Sequence, residues 1–164
     1  TFLDWIYNPP DVASLDAAVK YAGNSSLLIQ YSSPTMGNIY SATRKNFSCT
    51  EVMVVLWVKI RADSPYGLHA PQVYHPGYGA LTLEEGSEID WTKFRATFWY
   101  DSVNDTRWGR VEKWDGTTWV QQGSDVNFGR GPPAAGSISI QDRASGTSTF
   151  TFWCWFDEVE VYTR

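Results

Sequence analysis

Residues 51–61 read EVMVVLWVKIR, and only a repeat of two sorts them into an apolar set and a mixed one. An extended chain sends successive side chains to opposite sides. Val52, Val54, Leu56, Val58 and Ile60 then share one side, and Met53, Val55, Trp57, Lys59 and Arg61 share the other. The same period sorts KFRATFWYD, with Phe94, Ala96, Phe98 and Tyr100 against Arg95, Thr97, Trp99 and Asp101. In STFTFWCWF it sets Phe150, Phe152, Cys154 and Phe156 against Trp153 and Trp155. A helix, with its period of 3.6, would scatter these sets around its axis. The chain must therefore fold mainly as strands, each with one face for a core and one for solvent or a ligand.

The remaining segments agree. SSLLIQYS reads as a strand, GSISIQ turns Ile138 and Ile140 inward, and VEVY closes the chain. RWGRVEKW and TTWVQQ flank Asp115-Gly116, a hairpin signal. Residues 11–22, DVASLDAAVKYA, lie between Pro9-Pro10 and Gly23-Asn24 and admit a short helix, or a loop and a strand ending at Val19–Tyr21. DSPYGLHAPQVYHPGYG, with three Pro and three Gly, is expected to be a loop. No repeat or linker divides residues 1–164, so the expectation is one all-β domain, a two-sheet antiparallel β-sandwich of jelly-roll kind.

Composition narrows the function. Nine Trp, nine Tyr and eight Phe make up 16% of 164 residues, which excludes a disordered chain. The net charge of −5 opposes binding of nucleic acid through phosphates. The apolar run from Val52 to Val58 is far short of a membrane span, so no membrane insertion is expected. One core does not ordinarily take so many rings, and surface rings point to binding. Cys49 and Cys154 either form a single bridge or stand as two buried thiols. Sequons at Asn24, Asn46 and Asn104 favour an extracellular or cell-surface location. The start at Thr1 shows no leader pattern, and the abrupt ends suggest a monomeric module of a larger protein.

The outward rings are Trp57, Trp99, Trp108, Trp153 and Trp155, and Lys59, Arg61, Arg95, Asp101 and Gln141 fall on the same parity. Rings interleaved with hydrogen-bonding groups suit a sugar, which has an apolar C–H face and an edge of hydroxyls. The candidate glycan-binding residues are Trp57, Lys59, Arg95, Trp99 and Trp153, joined by Tyr74 and His75 of the Pro-rich segment. His69 and His75 have no carboxylate or Cys at metal-ligand spacing beside them.

Near the start, FLDW and SLDAAVKYAGNSSLLIQY resemble the opening of β-jelly-roll carbohydrate-binding modules. FWCWFDEVEVY resembles their closing strand, and VLWVKI and WTKFRATFWYD fit the middle strands. The resemblance implies non-catalytic binding of a polysaccharide or oligosaccharide. It also implies a structural Ca2+ between the first and last strands, held by Asp157, by Asn24 and by Asp4, the last offset from the family's acidic position. Laminin-G-like sandwiches close on a similar run, so the alternative is an adhesion or structural domain with a protein partner. A glycan-cleaving sandwich is a further alternative. Glu88-Ile89-Asp90 resembles the start of a laminarinase-type catalytic strand, but Thr92 and Lys93 stand where its second Glu would be, so no enzyme is expected.

Overall fold

The computed structural model describes residues 5–8, 13–33, 39–44, 49–145 and 149–163. They form strands β1 (Trp5–Asn8), β2 (Ala13–Asp16), β3 (Ser26–Ser33), β4 (Ile39–Arg44), β5 (Val52–Ala62), β6 (Leu68–His75) and β7 (Gly79–Thr82). The series continues with β8 (Glu88–Asp101), β9 (Thr106–Trp114), β10 (Trp119–Gln121), β11 (Val126–Arg130), β12 (Ser139–Ser145) and β13 (Phe150–Thr163). The smaller sheet has the order β1-β4-β12-β6-β7, and the larger has β10-β9-β8-β5-β13-β3-β2, with β11 also pairing β9. Every pairing between these strands is antiparallel. No helix among the described residues is long and apolar enough to cross a membrane.

The two sheets share one core. Val54, Leu56, Val58, Phe94, Phe98, Phe152 and Phe156 of the larger sheet meet Val73, Leu81, Ile138 and Ile140 from the side of the smaller one. These are the inward sets of the two-residue period, and each such large apolar side chain removed from water contributes about 1.5–3 kcal/mol. Cys49 and Cys154 are both buried free thiols. The hairpin turn forms at residues 115–118, where Asp115 Oδ1 accepts the amides of Thr117 and Thr118, both at 2.8 Å, and Gly116 takes a φ of 103°.

Two segments depart from expectation. Residues 63–79 are not one loop, because β6 occupies residues 68–75 and forms a hairpin with β7, which begins at Gly79. Pro71 is tolerated because β7 pairs only residues 72–75, and the Pro71 carbonyl beyond that ladder accepts the Leu83 amide at 2.9 Å. Residues 13–16 form a strand, and the described residues 17–25 form bends and no helix. Asp16 ends β2, its Oδ1 accepting the amides of Ala18 and Val19 at 2.8 and 3.2 Å.

Candidate functional site

The outer face of the larger sheet is ordered by its register. Arg110 of β9, Thr97 of β8, Met53 of β5 and Tyr162 of β13 are aligned partners across four strands. The next outward row is Glu112, Arg95, Val55 and Glu160. On the other side of Thr97, Trp99 of β8 pairs with Trp108 of β9. Over this part of the face lies a depression of about 570 Å³, lined by Glu51, Met53, Arg95, Thr97, Trp99, Arg110, Glu112 and Tyr162 among others. That volume lies in the range of small-molecule sites, roughly 300–1,000 Å³.

Both arginines are engaged in the same way. Arg95 donates Nε and Nη2 to the two carboxylate oxygens of Glu112, both at 2.6 Å, and its guanidinium stands 4.6 Å from the Trp119 ring centroid. Arg110 donates Nε and Nη2 to the two oxygens of Asp125, both at 2.7 Å, and stands 5.5 Å from the Trp99 centroid. The hydrogen bond from Arg110 holds the Asp125 carboxyl below its ordinary range, and the same bond raises Arg110. Glu51 Oε1 accepts the Tyr100 amide at 3.0 Å. The depression thus offers a half-buried indole, the exposed Tyr162 ring, and paired donors and acceptors side by side.

Another part of the same face is covered. Tyr21 stacks on Trp57 with centroids 3.7 Å apart and planes at 17°. Asp157 holds that segment down, its Oδ2 accepting the amides of Tyr21 and Ala22 at 2.8 and 3.0 Å while Oδ1 accepts the Glu158 amide at 2.8 Å. Trp155 Nε1 donates to Asp16 Oδ2 at 2.9 Å. Burial raises the Asp16 carboxyl, but this bond and the amides of Ala18 and Val19 outweigh it, and the net shift is downward.

Of the residues expected to meet a glycan, Trp99 and Arg95 line the depression. Trp57, Lys59 and Trp153 share the face but lie outside the depression: Trp57 under Tyr21, Lys59 paired with Asp90 at 2.5 Å, and Trp153 beside Arg61 at 6.0 Å. Trp155 is corrected from outward and open to outward and buried, at 7% exposure. Tyr74 and His75 belong to the smaller sheet. His75 is corrected to a wholly buried residue that donates from Nε2 to the Cys49 carbonyl at 2.9 Å and accepts the Gly77 amide on Nδ1, also at 2.9 Å. Gln141 is likewise on the smaller sheet, buried against Gln72. Glu51, Met53, Thr97, Arg110, Glu112 and Tyr162 were missed as site residues. Arg110 and Glu112 alternate visibly in RWGRVEKW, but only the β8–β9 register sets them opposite Thr97 and Arg95.

A buried polar cluster lies between the sheets. Asp142 Oδ2 accepts the Tyr31 hydroxyl at 3.0 Å and contacts His69 Nδ1 at 2.7 Å. Among the described residues no group of three or more His, Cys, Asp or Glu is placed to hold a metal. At the expected calcium position, Asp157 is engaged by three amides, and the Asn24 carbonyl accepts the Lys20 ammonium at 3.4 Å. Asp4 lies outside the described residues. Among the described residues the link between the opening segment and the last strand is made by hydrogen bonds to Asp157.

No family model matches the chain, and no curated protein matches it. Solved structures do. The chain is similar to a cellulose induced protein, Cip1, at 16% identity and a TM-score of 0.52, over 100% of this chain and 93% of that one. It also resembles arcelin-5, a lectin-like defense protein from Phaseolus vulgaris, at 12% identity and a TM-score of 0.43, over 98% and 93% of the two chains. A third likeness is to lectin UEA-II complexed with galactose, at 8% identity and a TM-score of 0.41, over 96% and 92%. The likeness to Cip1 is one of fold, and the lectin likenesses are too distant to carry an argument. The class so defined is an all-β, two-sheet antiparallel sandwich.

Proposed function

We propose that this chain binds a polysaccharide or oligosaccharide, without cleaving it, in the depression on the outer face of the larger sheet. The observation that carries the reading is the grouping of Trp99 with two carboxylate-paired arginines in one open site of about 570 Å³. A half-exposed indole supplies an apolar face for sugar C–H groups, and the paired side chains supply donors and acceptors for hydroxyls. Non-catalytic binding is supported by the state of the lining carboxylates, since Glu112 is held by Arg95 and Glu51 by the Tyr100 amide. Glu112 is thus committed to an ion pair and does not stand free as an acid or base. The chain would serve as a monomeric module of a secreted or surface protein. One neighbour in fold is named for induction by cellulose, which makes that polymer the first to test. Affinity electrophoresis of the chain through gels carrying single polysaccharides tests the reading. Retardation by at least one polymer, abolished in Trp99→Ala, is the expected result. Unretarded migration through every polymer overturns it.

A further inference from the structure

We infer that the ligand is an uncharged glycan, selected because the site presents its charges already paired. The inference rests on the carbohydrate-binding reading and concerns the same depression. Its described lining includes two cationic and two anionic side chains, Arg95, Arg110, Glu51 and Glu112. Each guanidinium has its Nε–Nη2 edge on a carboxylate and a ring beside it, Glu112 and Trp119 for Arg95, Asp125 and Trp99 for Arg110. A uronate carboxylate is an acceptor only, and its strongest partner is the two-pronged guanidinium edge. Here that edge is taken twice over. A uronate drawn to either guanidinium would meet the paired carboxylate of Glu112 or Asp125 beside it, and the two like charges would repel. The chain's net charge of −5 adds to the repulsion.

A hydroxyl makes the opposite demand, because it both donates and accepts. An Arg–carboxylate pair offers a donor and an acceptor side by side, which matches two neighbouring hydroxyls on a sugar ring. The remaining N–H groups of each guanidinium can donate to a hydroxyl while the unused lone pairs of its carboxylate accept from the next, so binding leaves the ion pairs intact.

The test compares the full chain on gels of hydroxyethyl cellulose and galactomannan, both uncharged, with gels of alginate and polygalacturonate, at low and high NaCl. Retardation by an uncharged polymer that changes little with salt, with free migration on the uronate polymers, is expected. Stronger retardation on a uronate polymer, lost at high salt, overturns the inference and leaves carbohydrate binding standing. Free migration on all four overturns both. Glu112→Gln and Asp125→Asn each unpair one arginine, and each should raise retention on the uronate gels about tenfold, the scale of one charge-assisted hydrogen bond. Unchanged uronate retention in both variants, with their melts intact, would show that pairing does not set the choice.

Discussion

Trp57 and Trp99 hold equivalent outward positions on neighbouring strands, and what separates them is what stands above each. Trp57 lies under Tyr21, while Trp99 faces the open depression. Trp99→Ala is expected to weaken glycan retention by about 2 kcal/mol, roughly thirtyfold, and to leave the urea midpoint almost unmoved. Trp57→Ala should do the reverse, costing about 1–3 kcal/mol of stability with retention unchanged. The opposite pattern would place the site under the covering segment. Parity alone put both rings outward correctly, because alternation along a strand is a local property. Coverage is not local: Tyr21 reaches Trp57 through a segment held by Asp157 near the far end of the chain. His75 misled for a related reason. Between Tyr74 and Pro76 it reads as a loop residue, and only the Cys49 carbonyl and the Gly77 amide explain why it can be buried neutral.

β13 shows what an irregular element does to such reading. Up to Asp157 it pairs Trp57, and Glu160 then pairs Val55, so an extra residue bulges between them. Glu158 at the bulge has a φ of +46°. The slip changes parity: Cys154 and Phe156 point inward before it, Val159 and Val161 pack on the core after it, and Tyr162 is turned outward to the depression. Composition gave no hint of that turn, whereas the Asp115-Gly116 hairpin was legible because its turn chemistry is local. Glu158→Gly should gain up to about 1 kcal/mol by relieving the left-handed backbone, and Glu158→Val should lose at least as much. Paired thermal melts of the two variants would show it, and equal melting temperatures would argue against strain at this residue. Asp157→Ala strips the acceptor from three amides and should cost about 2–3 kcal/mol. A chelator decides between this account and the calcium expected from the family resemblance. Hydrogen bonding alone leaves the wild-type melt unmoved by chelation, and a fall would place a calcium ion at this end of the sandwich.

Over the whole molecule, acid should weaken the fold in two stages. Burial holds His75 below its ordinary value of 6.5, against the upward pull of the hydrogen bond to the Cys49 carbonyl. Protonating Nδ1 would also abolish the acceptor of the Gly77 amide. As pH falls below 6.5, the unfolded chain takes up a proton that the folded one refuses, and stability drops until His75 protonates in the fold as well. Carboxyls lowered in the fold, Asp125 and Asp16 among them, contribute fully above 3.8, and that contribution is lost at lower pH. Urea midpoints across pH 3–8 should show both stages, with the upper one missing in His75→Gln. A flat profile between pH 7 and 5 in the wild type would contradict the buried neutral imidazole.

The order of strands in the larger sheet has a bearing on how the molecule is made. β13 pairs β5 on one side and β3 on the other, and among the described strands it alone joins β10-β9-β8-β5 to β3-β2. It is also translated after the other twelve described strands. Until it leaves the ribosome, β3 and β5 each present an unpaired edge, and the sheet exists as two pieces with no common neighbour. Closure is then a late event between segments far apart in the chain, the kind of pairing that puts β-sandwiches among the slower folders. From the synthesis of β5 to that of β13 the nascent chain carries two vacant strand edges, and its hazard is capture of a neighbouring copy's strand before its own arrives.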